Sequence, residues 1–312
     1  MSSQPAPDPV YTLRGAGSPI TYLTFHDGPG PQQDLYNGTQ DGKIHIWDME
    51  VRRIKASLDG HPGQAVLWIE FTPCGKMLTF GRDGILNVCQ RADTDWIITD
   101  KVSTGAIGFS PAGLLLDEDN TGYIVLPSRQ TSVCDVYRME TLTKLDELKP
   151  GAEKFGFVMC ITSMKDNKTV LIGYENGSIA LWDISKCKLL NSVKVFEESV
   201  LCVDYQSDLN KGFCGSVTNK ITSFSVDGDE VVVGKSTETL NPGFNQIRIR
   251  GDKKIFVTAG WDHNVRVFSV KKLTPLAVLD YHKDSCQCLA FSTENLLACG
   301  SKDQQISLWK IY

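Results

Sequence analysis

At 312 residues, 41% hydrophobic and 22% charged, the chain is long enough for two ordinary domains or one large closed β structure, and it reads as globular rather than disordered. A formal charge of −5 argues against general binding to nucleic acid or to anionic membranes, which takes a concentrated basic surface. No run approaches the ~20 apolar residues of a spanning helix.

The first segment, "MSSQPAPDPV", has neither the basic start nor the apolar core of a secretory leader. Its alternating Pro5, Pro7 and Pro9 make residues 1–9 a short flexible tail, with a single domain over 10–312. Ten cysteines are scattered without paired spacing. Without a leader they read as reduced, mostly buried small hydrophobes of an intracellular protein.

From there a turn-then-strand pattern recurs along the chain. "QDGKIHIWDME" reaches Trp47 and "RDGILNVCQ" reaches Cys89; "SVCDVYRME" places Tyr137 in the same position. "YENGSIALWDI" follows at Trp182, "TNKITSFSVD" at Phe224, "WDHNVRVFSV" at Phe268 and "KDQQISLWK" at Trp309. Successive intervals are 42, 48, 45, 42, 44 and 41 residues, which makes seven units. Within each unit short alternating apolar segments such as "AVLWIEF" and "KMLTFG" are separated by Gly, Pro, Asn and Asp turns, and none carries helical periodicity. Four short strands repeated every ~44 residues specify an all-β, seven-bladed β-propeller with WD40-type blades.

The spacing has a chemical reason. Asp41, Asp83, Asp262 and Asp303 each stand six residues before the Trp position, where a carboxylate caps free backbone donors of the turn. His61 in "LDGHPG" and His282 in "LDYHKD" stand where a His can join that carboxylate to the Trp indole. The network is incomplete, since Cys89 replaces Trp in one unit and Asn176 replaces Asp in another. Packing between blades therefore carries the fold, with Trp47, Trp182 and Trp309 as buried plates worth roughly 3–5 kcal/mol each.

The last unit stops three residues after Trp309 and lacks a strand. "PVYTLRGAG" at 9–17 has the form of the outer strands "IKASLDGH" and "PLAVLDYH", yet no blade precedes it. Residues 10–14 are thus expected to complete the last blade and close the ring, which also removes a free edge.

No nucleophile elbow, phosphate loop or His-Glu-x-x-His motif occurs, so neither catalytic nor cofactor-binding residues are assigned, and no cofactor is expected. Cys286 and Cys288, two apart on a strand, are expected to face one side and to pack rather than to bind metal; His26, His45 and His263 lack evident partners. The residue before each turn Asp should project onto the face around the central channel, which makes Gln40, Arg82, Glu175, Trp261 and Lys302 candidate partner contacts. Trp261 reads either as an interface anchor or as packing on its own blade, and Trp68 as core or rim. Arg248, Arg250 and Arg266 read as a solvated strand face, with an acidic partner site as the alternative. Region 91–150, with the longest interval and the acidic turn "DEDN", is either a partner site or a weak blade.

"TAGWDHNVRVF" (258–268), "PLAVLDYH" (275–282) and "LLACGSKDQQISLWKIY" (296–312), with "GYENGSIALWDIS" (173–185), "LNPGF" (240–244), "YTLRGAGSPI" (11–20) and "SLDGHPGQAVLW" (57–68), resemble the G-protein β-like WD40 family, related to the yeast ASTRA-associated WD40 subunit. The resemblance covers nearly the whole chain and is weakest at 91–150. It implies a non-catalytic scaffold, cytoplasmic with a possible nuclear share, that helps phosphatidylinositol 3-kinase-like kinases mature and stay stable alongside the TTT co-chaperone, and so serves the DNA damage response. A monomeric ring is expected. True G-protein β subunits begin with a long helix that coils with a γ subunit; here the propeller starts near residue 10, so no γ partner is expected. The competing reading is a substrate receptor of a cullin-type ubiquitin ligase, although "WDME" (47–50) and "WDIS" (182–185) lack the Arg of the Trp-Asp-x-Arg motif.

Overall fold

The computed structural model describes residues 7–27, 33–93, 95–116, 119, 121–166 and 168–311. The described strands form seven antiparallel sheets of four, one per sequence unit. Blade one is Ile20–Asp27, Gln33–Thr39, Lys43–Asp48 and Arg53–Asp59, from the channel outward. The inner strands of blades two to seven are Val66–Phe71, Gly113–Leu116, Val158–Ser163, Val200–Gln206, Phe244–Ile249 and Cys286–Phe291. The helical content among the described residues is one 3-10 turn, Ser207–Leu209, and no helix is long and apolar enough to cross a membrane.

Position within the blade explains the local sequence. Second strands are covered on both faces by neighbouring blades, and Met77–Gly81 and Ile255–Gly260 are buried at every residue. The outer strand Arg53–Asp59 alternates strictly between exposed and half-buried, because one face meets water. The cores accordingly lie between blades. One apolar cluster joins Leu115 and Val136 of blade three to Val170 and Trp182 of blade four. Another joins Phe213 of blade five to Phe256 and Phe268 of blade six, whose rings stack at 4.0 and 5.0 Å. All seven residues at the Trp position, from Trp47 through Cys89 and Tyr137 to Trp309, are buried.

The ring closes as the sequence predicts. Tyr11–Leu13 pairs antiparallel with Ile306–Lys310, aligning Tyr11 with Leu308 and Leu13 with Ile306. The Val10 amide adds a 2.8 Å hydrogen bond to the Leu308 carbonyl. Leu13 is buried with Ile20, Trp47 and Leu308 in the cluster that seams blade seven to blade one. Of the tail at 1–9, residues 1–6 lie outside the described residues, as do 117, 118 and 120 of the acidic turn "DEDN".

The predicted turn chemistry is complete in blade seven. His282 Nδ1 meets Asp303 Oδ2 at 2.9 Å, and His282 Nε2 meets the Ser307 hydroxyl at 2.8 Å. Trp309 donates its indole N–H to that hydroxyl at 2.8 Å. In blade two His61 contacts Asp83 and Thr79 at 3.0 Å each and Asn87 at 3.3 Å, and no indole joins this chain because Cys89 holds the Trp position. Asn176 does the work of the missing Asp in blade four, accepting the Ser178 amide at 3.0 Å.

Three expectations are corrected. Cys286 and Cys288 do not share a face: a bulge between them places Cys286 opposite Ser301 and Cys288 opposite Gly300, in different interblade clusters. His45 has partners, Ser57 at 2.7 Å and the Ala16 carbonyl at 3.1 Å, and His26 stacks on Phe71 at 3.6 Å. The three arginines of blade six do not form a solvated face. Arg266 is buried in a fork with Asp262, and Arg250 is buried between Asp252 and the Ile311 carbonyl. Arg248 lines the central channel.

Candidate interaction face

Each blade runs antiparallel throughout, so the connections entering the inner strands and the turns between second and third strands share one end of the propeller. That end carries Ile107, Phe109, Phe157, Leu240 and Trp261, all exposed, with Leu240 at 91% and Trp261 at 45%. Exposed large apolar residues elsewhere sit on outer strands, such as Ile97 and Val278, or singly at the opposite end, as Val51 and Leu209 do. The concentration of aromatic and branched side chains at one end makes it the candidate interaction face.

At its centre lies an axial cavity of about 730 Å³, within the range of ligand pockets. Gln40, Arg82, Trp261 and Lys302 line it, together with Phe109 and, deeper, Trp68. Four of the five pre-Asp positions therefore converge on the channel mouth. Glu175 does not line the cavity; its carboxylate accepts the Phe157 amide at 2.9 Å and holds the loop that presents Phe157. Trp68 is buried in the cluster that joins blades one to three, so its core and lining readings hold together.

Trp261 likewise combines both readings. Its indole N–H is donated to Asn245 Oδ1 at 2.8 Å, and its ring covers Gly243 so closely that an added Cβ would lie 2.2 Å from it. Asn245 is itself fixed by donating to the Ser285 hydroxyl and the Cys286 carbonyl. One face of the indole is thus seated and the other left open, an anchor ordered in advance of binding. At the opposite side of the mouth Arg82 stacks its guanidinium 4.2 Å from the Phe109 ring. Phe109 and Ile107 belong to region 91–150, which the sequence leaves open between a partner site and a weak blade. The signal for them was present as "TGAIGFSPA", an apolar pair in a turn-rich loop.

The titratable groups on this end are mostly structural. Burial alone would raise Asp303, but the hydrogen bond and charge of His282 with the Gln305 and Lys283 amides hold it below the usual carboxylate range. Asp83 is lowered in the same way by His61, and Asp262 strongly so by Arg266, Asn241 and Asn264. Burial raises Glu70, which lines the channel, and Asp204, which packs beside Arg248, above that range. Ligand atoms of His282, Cys286 and Cys299 lie within 4.8 Å of one another. Both nitrogens of His282 are already engaged by Asp303 and Ser307, however, so this trio fits an interblade contact better than a metal centre.

Comparison with known proteins agrees with this architecture. Residues 138–309 match the family model described as the Vps8 beta-propeller. The mouse guanine nucleotide-binding protein subunit beta-like protein 1 is 36% identical over 319 aligned residues, covering 99% of this chain and 97% of the mouse protein. The chain belongs to that WD40 β-propeller family. ASTRA-associated protein 1 from Schizosaccharomyces japonicus is 29% identical and that from Schizosaccharomyces pombe 27%, each covering 98% of this chain and 99% of the relative. Family membership and relatives' names point to a propeller adaptor for protein partners.

Proposed function

We propose that the protein is a non-catalytic adaptor that supports the maturation and stability of phosphatidylinositol 3-kinase-like kinases together with the TTT co-chaperone. The observation that carries an adaptor role is the ordered aromatic and apolar ring around the channel mouth, with Trp261 pinned by Asn245 and Phe109 stacked under Arg82. The full-length similarity to proteins named ASTRA-associated protein 1 supports membership of a larger assembly. The protein is proposed to act as a monomeric ring in the cytoplasm, with a share in the nucleus. Affinity purification with quantitative mass spectrometry tests the proposal. Recovery of the kinases and TTT proteins is expected, reduced by Trp261→Ala; recovery of cullin adaptors instead would replace this reading with a ubiquitin-ligase receptor.

A further inference from the structure

The inner strands share a register, because the same bulge follows the first residue of nearly every one: Ile20/Tyr22, Val66/Trp68, Val158/Cys160, Val200/Cys202, Phe244/Gln246 and Cys286/Cys288. Counting two residues past each bulge places Glu70, Asp204 and Arg248 at one level of the channel. A guanidinium and two carboxylates at one level would be expected to form ion pairs, yet they do not. Glu70 turns back to accept the Phe71 amide at 3.0 Å, and Asp204 reaches across to accept the Ile249 amide at 2.6 Å. No carboxylate oxygen among the described residues lies in ion-pair range of Arg248. Its hydrogen bonds are a long 3.5 Å bond to the Ile247 carbonyl and one with the Tyr22 phenol, and Asp204 and Glu70 act on it only through their charge, which leaves most of its five N–H donors without a protein acceptor.

Other arginines of this blade are treated differently. Arg250 is forked to Asp252 and Arg266 to Asp262. The cations lining the cavity, Arg82, Lys302 and Arg248, have no such carboxylate partner among the described residues. Three of the cavity's amides are meanwhile committed to the fold, since Gln246 accepts the Leu289 amide, Gln287 donates to the Ser285 hydroxyl and Asn245 holds Trp261, while Gln40 stands at the mouth. The charged groups of the lining are therefore mostly cationic, Arg82, Arg248 and Lys302 against the single carboxylate of Glu70, and aromatic surfaces lie beside them.

We propose that the axial cavity recognises an acidic, apolar-flanked segment of a protein partner, inserting one Asp or Glu side chain towards Arg248 while neighbouring apolar side chains rest on Trp261 and Phe109. Arg82 and Lys302 at the mouth attract and orient the segment. A carboxylate fits better than a phosphate, because Glu70 and Asp204 at the depth of Arg248 oppose a dianion more strongly than a monoanion. This deepens the adaptor reading and rests on it.

The experiment is selection of random 12-residue peptides displayed on phage against the full chain, followed by fluorescence polarisation with synthetic peptides. Enriched sequences should pair Asp or Glu with Leu, Phe or Trp. Replacing the central Glu of the best peptide by Gln should weaken binding about tenfold, the scale of one charge-assisted hydrogen-bonded contact. In Arg248→Gln protein the Glu and Gln peptides should bind equally. Should Arg248→Gln fail to fold, the Arg82→Ala, Lys302→Ala double variant, changed only at the mouth, should weaken the Glu peptide several-fold and its salt dependence with it. No enrichment, enrichment of basic or purely apolar peptides, or a Glu-to-Gln ratio unchanged by these variants would overturn the proposal. Loss of kinase and TTT recovery from cells with the peptide dependence intact would refute only the identity of the partners.

Discussion

Trp261 and Asn245 are joined by a 2.8 Å hydrogen bond that fixes the one large indole exposed at the channel mouth. The bond sets the edge of the ring, and Gly243, at φ +88°, provides the floor on which the ring lies. The exposed face of Trp261 therefore needs no reordering when a partner arrives.

Gly243→Ala should break this arrangement in two ways. A Cβ would collide with the indole, and an L residue is strained at a left-handed φ, at a cost of about 1–3 kcal/mol. Urea unfolding should show that loss, and partner recovery should fall as it does for Trp261→Ala. Unchanged stability and unchanged recovery would mean that the floor is dispensable.

Leu13→Ala tests closure. Leu13 is buried in the seam between blades seven and one, so truncation should cost about 2–5 kcal/mol. Deleting residues 1–14 should destabilise the entire ring, because blade seven then presents the unpaired edge of Ile306–Lys310. A thermal melt that overlays the parent curve for both variants would show that the ring closes without this strand.

Trp309→Phe keeps most of the ring volume but removes the donor to Ser307, and should cost about 1 kcal/mol in chemical denaturation. Trp309→Ala should cost about 3–5 kcal/mol. Equal losses for the two would assign the whole contribution to the hydrogen-bonded chain rather than to packing.

Stability should also depend on pH in two opposite ways. Asp83, Asp262 and Asp303 are held below the ordinary carboxylate range in the folded protein, so their contribution is full above pH ~4 and is lost as pH falls through their lowered values. Asp303→Asn should lower stability at pH 7 and flatten the acid limb of the profile. Glu70 is raised by burial, so its ionised form opposes folding at neutral pH. Glu70→Gln should therefore raise the melting temperature at pH 7, with the gain vanishing below pH ~4. A gain that persists there would show that Glu70 is not buried as a charge.

Much of the ring was legible because its determinants are local and repeated. The Asp-to-Trp interval, the His of "LDYHKD" and the orphan strand at 10–14 are each contained in a dozen residues. The surroundings of two arginines of blade six are remote in sequence, since Arg250 bonds a carbonyl 61 residues away and Arg248 meets charges from several other blades, whereas the Arg266–Asp262 fork is local but is buried only by the assembled ring. Counting by two on a strand failed at Cys286 and Cys288 because a bulge shifts the register without leaving a mark in composition. At the mouth, turn position identified Gln40, Arg82, Trp261 and Lys302, but Glu175 was diverted to its own loop and Phe109 came from a connection with no repeat to compare.

The pairing of Tyr11–Leu13 with Ile306–Lys310 has a consequence for the order of synthesis. Of the described strands, the one made earliest hydrogen-bonds with the one made latest, so blades one to six can accumulate during synthesis while the seventh stays open. Until Ile306–Lys310 emerges, Leu13 has no strand to pair with and the apolar flanks of blades one and six have no neighbour on the open side. The emerging chain is thus an open arc with uncovered apolar flanks until Ile306–Lys310 is available to pair, the stage at which it is most exposed to aggregation.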